Sequence, residues 1–239
     1  ELLAFGLITG FTSGFFGIGG GSILIPMLLV AGFAMKEAVA ISIMQMVFSS
    51  IYGSFLNSKK IKGLFRDGII LGVGASVGGL FSGYFLPSIP DIYLQYLFIA
   101  VLIYTIYTLF KAPASQEVIQ EDKNIFLLAF IGFCVGIFAM SIGIGGSLML
   151  LPILVQFLKY DLKVATALGL FFVIFSSIGG FISTSLYGNM LYYEGAIIGI
   201  GSLIGVYFGI KIKEKTKSTS YKKFVLLLNL FVLATMIYK

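Results

Sequence analysis

Two glycine clusters combine the residue types and the spacing best suited to chemistry in this chain. They are "GIGGGS", Gly17–Ser22, and "GIGGS", Gly143–Ser147, and each lies inside a long apolar run. Glycine loses the most backbone entropy on being fixed, so a helix is disfavoured through such clusters. Where a helix restarts after the break, its first turn leaves about four N–H groups unpaired and resembles roughly half a positive charge. Lack of a Cβ lets an anion approach those amides, and Ser22 and Ser147 add hydroxyl donors. Gly19, Gly20, Gly21 and Ser22, together with Gly145, Gly146 and Ser147, are therefore candidate anion-binding residues that need no basic side chain. Gly17 and Gly143 open the two breaks. Pro26 and Pro152 stand about one turn into the arms that follow, where a missing N–H costs little. These four are expected to act as structural hinges.

A second set of candidates lies at mid-helix depth. Ser49 and Ser50 recur as Ser176 and Ser177, either touching a substrate or packing helices together through small residues. Gln45, one turn before Ser49, is the most polar mid-helix group of the first half, and its counterpart is Phe172, so any substrate contact there is asymmetric. Thr166 is either a donor to substrate or bonded back to its own helix. Cys134 reads as a small apolar packer or, alternatively, as a reactive sulfur. Glu37, Asp67 and Glu194 flank helix starts, where dipole complementarity accounts for them.

Enzyme chemistry finds little to work with. The chain has no histidine, one cysteine, and charged residues only at the ends of apolar segments or between them. A serine–histidine dyad, an intramembrane carboxylate pair and a cysteine-based metal cluster are all excluded on these grounds. Neither a metal nor a cofactor is expected, and the chain does not read as an enzyme.

The elements that must hold these residues belong to a membrane protein. Of the 239 residues 59% are hydrophobic and 11% charged, against about 25% charged in soluble domains. Apolar stretches at 38–57, 67–86, 92–110, 165–187, 194–210 and 222–238 are long enough to cross a bilayer as helices. Tyr93, Tyr96, Tyr192 and Tyr193 suit the interfacial aromatic belt. Regions 2–32 and 125–158 differ, because the glycine clusters divide them into arms of about 15 and 11 residues, roughly 22 and 16 Å as helix. Each is either one kinked, over-long helix or a re-entrant hairpin of two short arms.

The chain also repeats itself at a spacing of 126–127 residues. "GIGGGSILIPMLL" (17–29) aligns with "GIGGSLMLLPILV" (143–155), "FSSI" recurs at 48–51 and 175–178, and "DGIILGVGASVG" (67–78) matches "EGAIIGIGSLIG" (194–205). Several blocks in the same order mark two homologous halves, 1–110 and 125–239, joined by the polar linker 111–124. If each broken region is a hairpin, each half crosses the bilayer three times and the halves are inverted. That arrangement puts 14 of the 16 basic residues on one face, leaving Lys36 and Lys239 opposite. Single crossings would divide them 9 against 7. The excess of Lys and Arg in cytoplasmic loops favours the inverted reading. It places the basic segments 57–66, 111–124, 158–163 and 211–223 in the cytoplasm of a multi-pass plasma or inner-membrane protein. The net charge of +6 then belongs to these loops and implies no nucleic acid.

At the glycine–proline hairpins the sequence resembles the TauE/SafE sulfite exporter family. The resemblance rests on "GFFGIGGGSILIPML" (14–28), its second copy "GIFAMSIGIGGSLMLLPIL" (136–154) and "VATALGLFFVIFSSIGG" (164–180). It implies a small inorganic or organosulfur anion as partner, of the sulfite, thiosulfate and organosulfonate class. Residues and resemblance together lead to an all-α membrane protein of two inverted repeats, each a glycine-broken hairpin plus three transmembrane helices. The expected activity is export of the anion by alternating access, with a passive channel or a sulfur relay through Cys134 as alternatives. Oligomeric state is not legible in the sequence.

Overall fold

A computed structural model describes residues 1–17, 19–57, 65–111, 124–160, 162–188, 190–216 and 218–238. Every regular element among them is helical: α1 (Leu2–Phe16), α2 (Gly21–Val30), α3 (Met35–Asn57), α4 (Phe65–Phe85), α5 (Asp91–Lys111), α6 (Ile125–Ser141), α7 (Ser147–Pro152), α8 (Leu162–Tyr187), α9 (Tyr192–Lys215) and α10 (Ser218–Tyr238). A 3₁₀ turn, Leu86–Ser88, follows α4, and a π-helical turn, Ile153–Phe157, carries on from α7. Most of the expected linker 111–124 and of the basic loop 57–66 falls outside the described residues.

Among the described residues five helices, α3, α5, α8, α9 and α10, are long and apolar enough to cross a membrane. The chain is thus a multi-pass membrane protein. The sequence reading had six such stretches; the sixth falls on α4, a helix of 21 residues that is rich in glycine. Those glycines serve packing.

Regions 2–32 and 125–158 are interrupted where glycine clusters, so neither is one continuous rod. Gly17, Gly19 and Gly20 take φ of 69°, 79° and 81°; Gly143, Gly145 and Gly146 take 66°, 88° and 72°. Both breaks therefore use left-handed backbone at equivalent positions, a conformation that a side chain makes costly and glycine does not. α1 ends as the Gly17 N–H donates to Ser13 O at 2.8 Å, and α2 and α7 each restart from a left-handed glycine N-cap.

Packing is reciprocal between the halves. α1 lies against α9 through Gly6 and Gly10, whose absent Cβ atoms leave room for the Ile198 and Ser202 carbonyls. α6 lies against α4 through Gly132 and Gly136, which admit the Leu71 and Ala75 carbonyls. In return, Gly205 of α9 and Gly78 of α4 seat the Leu7 and Phe133 carbonyls. Lipid offers no hydrophobic drive for helices to associate, so close backbone approach through small residues takes its place. These pairs enclose α3 and α8, the most buried of the spanning helices, while α10 is the least buried.

Candidate functional site

The two breaks meet one another between α3 and α8. Gly21, the first residue of α2, lies so near the second break that a Cβ there would come 2.1 Å from the Gly143 carbonyl oxygen. Gly169 of α8 packs beside Ser147 and, further off, the Gly17 carbonyl. Gly19 is held between Met46 of α3 and Val173 of α8. The surroundings follow the repeat: Gly17 abuts Thr166, while Gly143 abuts Val39, the residue equivalent to Thr166. The structure thus assembles Gly19, Gly20, Gly21, Ser22, Gly145, Gly146 and Ser147 in one buried locus. Pro26 lies inside α2, whereas Pro152 ends α7 at the change to a π turn, so the two expected hinges differ in form.

The walls of the two breaks are chemically unlike. Gly20 faces the Gln45 carboxamide, whose oxygen and nitrogen lie 2.9 and 3.0 Å from where a Cβ would stand; Gly146 faces the Phe172 ring. Gln45 is fully buried, and neither polar atom of its side chain has a hydrogen-bond partner among the described residues. Leaving such groups unsatisfied costs about 1–3 kcal/mol, so a polar occupant beside Gln45 would relieve a standing penalty. The hydroxyls of Ser147 and Ser50 are also buried without partners among the described residues. α2 and α7 have no side-chain cap, so no side chain competes for their first-turn amides.

The serine pairs divide. Ser49 Oγ makes long contacts with Gly19 O (3.5 Å) and Met46 O (3.4 Å). Ser176 and Ser177 donate to Val173 O and Ile174 O on their own helix, at 3.3 and 3.2 Å. Both hydroxyls of this second pair are thus turned to their own helix. Cys134 is only partly buried, on α6.

Sequence reasoning passed over three residues here. Ser42 donates to Gly143 O at 2.7 Å, tying α3 to the second break. Tyr221 of α10 donates to Phe16 O, the last carbonyl of α1, at 2.9 Å. Lys213 sits near a segment end as expected, yet it is 1% exposed and donates from Nζ to Thr166 Oγ1 at 2.7 Å. Its burial had a signal: Gly195, Ile198, Ser202, Val206, Gly209 and Lys213 recur at helical spacing on the buried face of α9.

Towards the other end of the molecule, a cleft of about 330 Å³ opens between α3 and α8, lined by Lys36, Glu37, Ala40, Leu86 and Thr184 among others. Ala40 lies five residues before Gln45 on α3, about 7.5 Å along the axis. Lys36 Nζ bonds Pro87 O at 2.9 Å and stands 3.9 Å from Asp91.

Comparison with known proteins agrees with this architecture. The model of the family described as sulfite exporter TauE/SafE matches residues 2–236. A probable membrane transporter protein of Methanocaldococcus jannaschii is 29% identical over 90% of this chain and 86% of its own length. Two probable membrane transporter proteins of Bacillus subtilis, YdhB and YunE, are 25% and 23% identical, over 85% and 90% of this chain and 86% and 90% of theirs. No solved structure matches significantly.

Proposed function

Because the chain belongs to the sulfite exporter TauE/SafE family, we propose that it is a secondary transporter carrying a small sulfur-containing anion out of the cell. The substrate class is sulfite, thiosulfate or an organosulfonate, bound where the α2 and α7 amide ends meet Gln45, Ser49, Ser50 and Ser147. One observation carries this reading: a fully buried carboxamide with both polar atoms unpartnered among the described residues stands against Gly20, the N-cap of a broken helix. An uncapped helix start supplies oriented donors and partial positive charge, and the Gln45 Nε2 group adds two N–H donors. Gly20 keeps a side chain out of the same space.

In this reading the halves 1–110 and 125–239 are inverted repeats, and each broken region is a re-entrant hairpin returning to its own side. The equivalence of the α1–α9 and α6–α4 contacts supports the repeat. The asymmetry of basic residues supports the inversion. The cleft beside Lys36 is then the outer mouth, and alternating access would close it while opening the opposite end. Export suits the electrostatics, since an interior-negative potential drives an anion outward by about 2.3 kcal/mol per charge per 100 mV.

Purified protein in liposomes tests the proposal. Saturable sulfite or thiosulfate efflux is expected, abolished by Gly20→Val, because valine would occupy the anion's place. Currents of thousands of ions per second would favour a channel. Unaltered saturable efflux by the folded Gly20→Val protein would remove the site.

A further inference from the structure

A broken helix presents two ends of opposite sign to the same place. The N-terminus of α2 brings roughly half a positive charge, but the C-terminus of α1, five residues earlier, brings roughly half a negative one. A carbonyl of the second break, Gly143 O, also crowds Gly21. An anion feels a net attraction only if the carbonyl ends are compensated. The first break has the means. Lys213 Nζ donates to Thr166 Oγ1 at 2.7 Å; Thr166 is hydrogen-bonded to the Tyr221 hydroxyl; and Tyr221 donates to Phe16 O at 2.9 Å. The contacts run from the ammonium past two hydroxyls to the terminal carbonyl of α1. The ammonium is buried and lies 5.7 Å from the Tyr221 ring centroid, while Thr166 itself touches Gly17.

Resting on the transporter reading above, we propose that Lys213 is the charge-selecting residue of the first half-site. Through Thr166 and Tyr221 it offsets the negative end of α1, so the amide end of α2 acts on the anion undiminished. The second half lacks this device. The repeat places Leu86 opposite Lys213 and Val39 opposite Thr166, and the second break's carbonyl is met by the neutral Ser42 hydroxyl instead. Lys213 is a positioning residue in this sense: it sets the field and does not touch the anion.

A buried charge discriminates by anion valence, and a merely structural lysine does not. Affinities for thiosulfate (two charges) and methanesulfonate (one charge) are to be measured on detergent-purified wild type, Lys213→Met, Lys213→Arg and Tyr221→Phe. Coulomb energy scales with ligand charge, so Lys213→Met should lose about ten-fold for thiosulfate and only about three-fold for methanesulfonate. Lys213→Arg should keep the wild-type ratio. Equal losses for both anions, or no loss in a folded Lys213→Met protein, would overturn the proposal. Should Lys213→Met fail to fold, Tyr221→Phe decides: it breaks the chain without removing the charge, and must weaken thiosulfate binding more than methanesulfonate binding. If wild type binds neither anion, the transporter reading has failed, which is distinguishable from failure of this inference alone.

Discussion

Gln45 separates function from stability at the level of a single side chain. Its carboxamide is fully buried with both polar atoms unpartnered among the described residues, so the fold bears its desolvation cost. Gln45→Leu, close in volume and apolar, should therefore stabilise the protein by about 1 kcal/mol. The same change should abolish the rise in melting temperature that thiosulfate gives the wild type. A melting temperature below wild type, with the thiosulfate response intact, would make Gln45 a packing residue. The equivalent Phe172 already fills its place against Gly146, so the second break offers no comparable exchange.

Among helices, the decisive contacts are backbone against backbone. Gly10 and Gly136 occupy equivalent rungs, and a Cβ on either would fall 2.1 or 2.6 Å from the Ser202 or Ala75 carbonyl oxygen. Carbonyls cannot turn aside as flexible side chains do, so α1 must move from α9, or α6 from α4. Gly10→Leu and Gly136→Leu should each cost about 1–3 kcal/mol, read as lowered melting temperature in detergent. Loss at one rung alone would mean that the halves do not share this packing. The entry to α4 is fixed separately: the Tyr160 hydroxyl donates to Asp67 Oδ2 at 2.5 Å. Burial first, then the hydrogen bond and charge of Asp67, raise the Tyr160 pKa well above the ordinary tyrosine value, so the proton stays in place through the physiological range.

For the molecule as a whole, the proposed inversion would set which ends face the cytoplasm. In a Cys134→Ser background, Lys36→Cys should react with a membrane-impermeant maleimide in intact cells, and Lys222→Cys only after permeabilisation. Both lysines are solvent-accessible in the fold, with Lys36 Nζ bonded to Pro87 O and Lys222 Nζ to Phe110 O in exposed contacts. Labelling of both in intact cells would refute the inversion. Opposite exposure is required because 36 and 222 belong to segments that the basic-residue asymmetry assigns to opposite faces.

Covalent pattern alone was enough for the helical class and the position of both breaks. Apolar length and the clusters at Gly17 and Gly143 are local properties. Whether Ser176 and Ser177 face a ligand or their own helix was not local; it depended on rotamer and on what lies across the groove. Pairing of α1 with α9 and α6 with α4 was likewise hidden, because glycine notches show that something approaches closely without saying what. Lys213 is the clearest case. Its place near a helix end made it read as a loop charge, and only the packing of α8 and α10 around the end of α9 put its ammonium out of water, beside the first break. Charge sign is written in the chain, but the dielectric around it is made by the fold.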